Sequence, residues 1–259
     1  MPEFHTRYRA LYSGTLVKRD ITRASHIISV SECTKKDVIE LFSISPENIT
    51  VIPEAAGKTF QPCSEYEITR IKEKYSLNTP FILFVGTIEP RKNIPTLLRA
   101  FRELTKHYPG YTLVIAGQNG WKYQETYSVF HQLNLEKCVR FLTYVPHEDL
   151  PALYCASVLF VLPSWYEGFG LPPLEAMQCG VPVIVSDRGS LPEIVGSGGC
   201  TVPPDDPHTL MESMEKFLFD KTARQKQIQY NINRAGTFSW EKCAQETARV
   251  YQMVLGQYP

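Results

Sequence analysis

No stretch of this sequence supplies the roughly 18 consecutive apolar residues that mark a membrane-spanning helix. The nearest approach, Leu150 to Tyr166, carries no charge but is interrupted by Pro151 and Pro163. A helix around Leu150 to Ala156 followed by a buried strand over Val158 to Leu162 accounts for it. An excess of charge is missing too: 27 Lys and Arg residues face 27 Asp and Glu residues. That balance excludes a strongly basic nucleic-acid binder. No CxxC pair, HExxH motif or other metal-ligand spacing occurs, so the sequence gives no metal centre. The seven cysteines are scattered, and their odd number speaks against a disulfide framework and for a reducing cytosol. In that setting the sequon Asn48-Ile49-Thr50 reads as a chance match.

What is present suits an enzyme-sized α/β protein. A hydrophobic content of 43% over 259 residues is enough for a sizeable core in one large or two modest domains. From residue 81 onward, short apolar runs alternate with helical patterns. Strands are expected at Phe81 to Val85, Thr112 to Ala116, Val139 to Thr143, Val158 to Leu162 and, closing the series, Val183 to Val185. Helices are expected after Asn93, which caps the first of them, over Trp121 to Leu133, over Glu148 to Ala156 and from Leu171. Such alternation implies a doubly wound parallel sheet, whose ligands lie beyond the carboxyl ends of the strands. Before residue 60 the reading is a helix from Arg7 to Arg23, a strand from His26 to Val30, a helix from Thr34 to Phe42 and a strand from Ile49 to Ile52. These few elements can bury little surface alone.

The most informative segment is Ser164-Trp-Tyr-Glu-Gly-Phe-Gly-Leu-Pro-Pro-Leu-Glu-Ala-Met-Gln-Cys179. It runs from a strand end through a glycine loop into a helix, with Pro172 and Pro173 in the first turn, where a missing N–H costs nothing. A helix start directs amides and a positive dipole end at an anion, and glycines let the backbone approach it closely. Gly168, Phe169, Gly170 and Leu171 would offer those amides. Glu167 and Glu175 flank the platform as acceptors for hydroxyl groups. The arrangement describes a sugar nucleotide, with its diphosphate on amides and its hydroxyls on acids.

The Glu-x7-Glu frame resembles the signature of the retaining GT-B glycosyltransferases (glycosyl transferases group 1), a family that includes sucrose synthase and bacterial phosphatidylinositol mannosyltransferases. The segment Phe84-Val85-Gly86-Thr87-Ile88-Glu89-Pro90-Arg91-Lys92-Asn93 is similar to that family's phosphate arm. Gly180-Val181-Pro182-Val183-Ile184-Val185-Ser186, then Gly189-Ser190-Leu191-Pro192-Glu193-Ile194-Val195-Gly196, and finally Phe238-Ser239-Trp240-Glu241 continue the likeness. It extends over nearly everything from residue 24 onward.

The resemblance implies that residues 1–56 are the remnant of an N-terminal acceptor-binding domain and 57–64 a linker. Residues 65–238 would then form the Rossmann-like NDP-sugar domain, and 239–259 a helix packing back towards the N-terminal part. About a hundred residues of a typical first domain would be lacking, leaving an exposed edge open to association. It further implies a hexosyltransferase, with mannose suggested by the style of the phosphate arm. The acceptor would be a glycan or a lipid-linked sugar, transfer would retain configuration, and no cofactor or metal would be needed. The enzyme would be cytoplasmic, working at the inner face of a membrane with which it associates peripherally.

Residue by residue, the likeness places Lys92 on the diphosphate, Glu167 against the donor sugar and Glu175 on the ribose hydroxyls. Gly86 and Thr87 border the phosphates. Thr87 stands where many members carry arginine, and Arg91 is its replacement. Tyr144, Val145 and Pro146 border the base. Trp165 and Tyr166 either line the sugar pocket or pack at its rim. The alternative for Arg91 and Lys92 is a solvated pair at a helix start, and for Glu175 an ordinary first-turn glutamate. Asp205-Asp206 reads as loop rather than metal site. A general base is not visible. Three rivals remain: a non-catalytic nucleotide-sugar-binding module, the donor half of a split enzyme, and a phosphorylase or NDP-sugar epimerase. A phosphorylase would need a cofactor-lysine context that the sequence does not show.

Overall fold

A computed structural model describes residues 17–256, which fall into two compact units, one comprising 17–55 with 238–256 and the other 56–237. The expected helix from Arg7 lies outside the described residues up to position 16; its end is helical over Lys18–Arg23. In the smaller unit, strand β1 (Ile27–Ser29) pairs in parallel with β2 (Ile49–Val51), with Ile27 opposite Ile49. Between them the helix Glu32–Phe42 starts at Ser31, whose hydroxyl accepts from the Thr34 amide at 3.0 Å. Such a cap contributes about 1 kcal/mol. The helix Trp240–Gly256 belongs to this unit and exposes Trp240, Tyr251, Met253 and Leu255.

The larger unit is built on six parallel strands: β3 (Phe81–Val85), β4 (Thr112–Ala116), β5 (Val139–Leu142), β6 (Leu159–Leu162), β7 (Val183–Ser186) and β8 (Cys200–Val202), in the order β5-β4-β3-β6-β7-β8. Both β3 and β6 are near-continuous apolar runs because helices cover the sheet on both faces. The chain steps outward from β3 in one direction and returns to β6 in the other. Between β3 and β6 lies the topological switch point, where such sheets hold their ligands.

Helices pack in two groups. Ile94–His107 lies against Gln124–Gln132 and Pro207–Phe219, whereas Leu150–Ala156 lies against Glu65–Lys74 and Leu171–Gln178. The amphipathic sequence of Ile94–His107 buries Leu97, Leu98, Phe101 and Leu104 along one stripe. Asp149, fully buried, ties the second group together. It accepts from Arg70 at 3.3 Å, from Lys74 and from the Tyr75 hydroxyl at 2.8 Å. Burial pushes its carboxyl up, but Lys74 and Tyr75 more than reverse this and hold it below the usual range.

Several expectations need correction. The series does not close at β7, since Cys200–Val202 adds a sixth strand. The helix expected from Trp121 begins at Gln124, and that expected from Glu148 is a short 3-10 turn, His147–Asp149, leading into Leu150–Ala156. Residues 57–64 group with the larger unit, where Phe60 is buried edge-on against Tyr154. Asp206 caps the helix Pro207–Phe219 by accepting from the amides of His208 and Thr209, both at 3.0 Å. Among the described residues, no helix is long and apolar enough to cross a membrane, and no cluster of His, Cys, Asp or Glu could hold a metal ion.

Candidate active site at the switch point

Three strand ends supply the site. After β3 the chain bends at Gly86 (φ +152°) into a 3-10 turn over Pro90–Lys92. After β6 it runs through Ser164 and Glu167 to the glycine loop and the helix Leu171–Gln178. After β7 it passes Gly189 and Ser190. These segments meet around Glu167, the first two at its carboxylate and the third at its backbone. Lys92 Nζ donates to its Oε1 at 2.6 Å and Arg91 Nη1 to its Oε2 at 2.6 Å, while the Ser164 hydroxyl donates to Oε1 at 2.7 Å. Arg91 also donates to the Tyr166 carbonyl at 2.7 Å and to Glu89 Oε1 at 2.7 and 3.1 Å.

Lys92 is only 7% exposed and Glu167 likewise 7%, which removes the reading of Arg91-Lys92 as a solvated pair. Burial alone would push the Glu167 carboxyl up. Lys92 and Arg91 outweigh it and hold the group below the ordinary carboxylate range. Arg91 is shifted the other way, upward: burial opposes its charge, and Glu167 and Glu89 more than restore it. Two cations and two carboxylates, with Lys92 and Glu167 buried and Arg91 and Glu89 half-buried, are thus fixed in one place, as charges often are at functional sites.

The glycines have identifiable tasks at two points. At Gly189 (φ +60°) an added Cβ would stand 2.7 Å from the Glu167 carbonyl oxygen and 2.8 Å from its nitrogen. Only a bare Cα lets this segment pass so close to the Glu167 backbone. At Gly170 (φ +119°), the residue before the helix Leu171–Gln178, the backbone adopts a conformation that side chains resist. Pro172 and Pro173 have no N–H, so the donors at this helix start lie at or before Leu171. The Ser190 hydroxyl holds the loop from beneath through the carbonyls of Glu167, at 2.9 Å, and Phe169.

Glu175, in that helix, accepts from the Tyr154 hydroxyl at 2.8 Å through Oε2. Burial raises its carboxyl above the ordinary range despite the Tyr154 bond and the nearby His147. Gly86, Thr87, Gly117, Gln118, Tyr144 and Val145 line a hollow of about 220 Å³ beyond β3, β4 and β5. Pro146 follows Val145 at the start of the 3-10 turn His147–Asp149. Two larger hollows of about 600 and 480 Å³ lie around Lys216, Lys226 and Tyr230 and around Thr59, Cys63 and His147. Neither borders the glycine loop or the buried ion cluster.

The structure therefore brings Arg91, Lys92 and Glu167 together, sets Gly86 and Thr87 beside Tyr144 and Val145, and places Glu175 on the helix that follows the glycine loop. Trp165 donates its amide to the Arg91 carbonyl at 2.8 Å, joining the arms after β3 and β6. Asn93 departs from expectation. Its backbone is left-handed (φ 53°) and its side chain makes no helix cap. Instead its amide donates to the carbonyls of Pro163 at 3.1 Å and Pro204 at 2.6 Å, and Thr96 donates to its Oδ1 at 2.8 Å. Asn93 thereby fixes the position of Lys92 relative to the arm after β6. Sequence reading also missed Glu89, Ser164, Ser190 and Tyr154. Glu89, Ser164 and Ser190 stand inside the motif segments without a role read for them, and Tyr154 had a signal of its own, since a tyrosine on an otherwise apolar helix must find a partner for its hydroxyl.

A six-stranded parallel sheet with two cations and a carboxylate-flanked glycine loop at its switch point is a GT-B-type α/β architecture. The family model for glycosyl transferases group 1 matches residues 66–234, and the chain belongs to that family. It is 36% identical over 258 residues to the O-antigen chain mannosyltransferase B of Escherichia coli, covering 98% of this chain and 67% of that protein. The sucrose-phosphate synthase of Thermosynechococcus elongatus superposes with a TM-score of 0.84 at 25% identity, covering 99% of this chain and 65% of that one. Anabaena HepE, solved in complex with UDP-glucose, gives a TM-score of 0.85 at 22% identity, with coverage of 98% and 70%. The chain thus spans about two thirds of the length of these relatives.

Proposed function

We propose that the switch-point crevice binds the nucleoside diphosphate of an NDP-sugar, and that the protein transfers a hexose from it to a glycan or lipid-linked acceptor. The carrying observation is the buried Lys92–Glu167–Arg91 cluster where the arms after β3 and β6 meet. Lys92 and Arg91 would draw the diphosphate, Arg91 with its planar fork and Lys92 as a point charge. The amides of the 168–171 loop complete the electrostatic stabilisation of the departing phosphate, which is usually the largest single contribution to such a step. Glu167 then faces the sugar hydroxyls, Glu175 holds the ribose, and the base enters the hollow beside Tyr144 and Val145. Retention of configuration and independence from metal ions belong to this reading. Mannose is favoured as the sugar because the Escherichia coli relative is an O-antigen mannosyltransferase. The UDP-glucose bound to HepE supports a nucleotide-sugar donor. Work on a lipid-linked acceptor places the protein at the cytoplasmic face of a membrane.

Calorimetry with UDP, GDP and ADP, each with and without EDTA, tests the donor site. At least one nucleotide should bind, and EDTA should leave its affinity unchanged. Failure of a folded sample to bind any of them would sink the donor-site reading. Affinity abolished by EDTA would overturn the metal-free part alone.

A further inference from the structure

Behind the helix Leu150–Ala156, three of the seven cysteines converge. Cys155 Sγ stands 3.4 Å from the Gln61 carbonyl oxygen, and Cys63 Sγ stands 3.6 Å from the same atom. Both thiols thus donate to one carbonyl oxygen, which brings their sulfurs to the same spot. Cys179 closes the group from the helix Leu171–Gln178 side, its carbonyl 3.8 Å from Cys155 Sγ. Cys63 and Cys155 are partly exposed, whereas Cys179 is buried. Cys63 also lines a hollow of about 480 Å³ with Gln61, Glu67, Arg70 and His147, and Cys155 beside it is itself partly exposed to solvent.

We propose that Cys155 and Cys63 form an oxidation site that takes a hydroperoxide, with Cys155 as the attacking thiol and Cys63 as the resolving one. The Cys155 thiolate attacks a peroxide oxygen and the O–O bond breaks. Cys155 becomes a sulfenic acid, and the leaving hydroxide takes a proton to depart as water. The Cys63 sulfur then attacks the Cys155 sulfur, and the S–OH bond breaks. A second water leaves with the Cys63 proton, and a disulfide remains. Two thiols have lost two electrons and one hydrogen peroxide has become two waters.

The order of attack follows from the surroundings. The neighbouring Cys179 and Cys63 outweigh burial and draw the Cys155 thiol below its ordinary value. Burial and the neighbouring Cys155 push the Cys63 thiol up. Glu67 opposes ionisation of both. Of the two, Cys155 is therefore the one that ionises more readily, and thiolate is the reactive form. The bond would staple Gln61–Cys63 to the helix that presents Tyr154 to Glu175.

The reduced protein, treated with equimolar hydrogen peroxide and mapped by mass spectrometry without reduction, should yield one crosslinked peptide joining Cys63 to Cys155. In Cys63→Ser, Cys155 should accumulate as sulfenic acid and be captured by dimedone. At pH 7 iodoacetamide should label Cys155 faster than Cys243. Circular dichroism of Cys63→Ser confirms that the variant is folded. A Cys155–Cys179 crosslink, no crosslink in the folded protein, or labelling of Cys155 no faster than of Cys243 would overturn the assignment.

Discussion

Replacing Glu167 by Gln keeps the side-chain shape and removes the charge that Lys92 and Arg91 share. Arg91 retains Glu89 and the Tyr166 carbonyl, so the loss falls chiefly on Lys92, whose ammonium is 2.6 Å from Glu167 and 7% exposed. Breaking a buried ion pair from one side costs about 3–5 kcal/mol because the remaining charge stays buried. With Arg91 still compensated, the lower end applies, about 3 kcal/mol. Adding Lys92→Met should return most of this, since an apolar replacement of a whole buried pair is often neutral. The double-mutant cycle should therefore show a coupling of about 2 kcal/mol. Urea unfolding followed by tryptophan fluorescence, with Trp165 beside the site, measures all four proteins. The pH dependence has a definite sign. Glu167 titrates below the ordinary range when folded, so its contribution is fully present above the unfolded carboxyl value and is lost as pH falls through the folded one. Glu167→Gln should lack that acid-side loss. A destabilisation below about 1 kcal/mol, or no recovery with Lys92→Met, would show that the cluster is not a coupled buried unit.

Glu175→Ala should weaken nucleoside diphosphate binding by about 1–3 kcal/mol, as for a lost charged hydrogen bond, and by much less for a 2′,3′-dideoxy nucleotide; calorimetry showing equal losses for both ligands would separate Glu175 from the ribose. Gly189→Ala forces a Cβ to within 2.8 Å of the Glu167 backbone at a left-handed position, which should cost about 1–3 kcal/mol in urea unfolding. A variant as stable as the parent would mean that the loop yields freely.

How much of this was legible before the structure depends on how local the cause is. The strands Phe81–Val85 and Leu159–Leu162 were plain because a strand buried on both faces reads as an unbroken apolar run. The edge strand Cys200–Val202 was not, since it is three residues long with Thr201 exposed. Arg91, Lys92 and Glu167 were recognisable as chemistry, but their union is a contact across about 75 positions that no spacing encodes. Asn93 was misread for the same reason. Asparagine at a helix start suggests a cap, yet its amide was claimed by carbonyls 70 and 111 positions away. Gly189 and Ser190 belonged to a visible motif whose purpose, a close approach to the Glu167 backbone, only coordinates reveal.

The ion cluster also constrains how a donor would be received. Lys92 and Arg91 are committed to Glu167 before any phosphate arrives, so a diphosphate must compete with a carboxylate already at 2.6 Å. That competition costs less than it first suggests. A diphosphate would bring more negative charge than the carboxylate it displaces, and on the proposed reading the loop at Gly168 to Leu171 would add donors on its other side. On the proposed reading Glu167, released from one cation, would gain freedom to accept from sugar hydroxyls, while Ser164 would still hold its Oε1. The cations are thereby kept ordered without ligand, which lowers the reorganisation that a charged leaving group would otherwise require. A nucleoside without phosphates offers nothing to exchange for the ion pair, so its affinity should be nearly indifferent to Lys92, whereas that of a diphosphate should depend on it strongly.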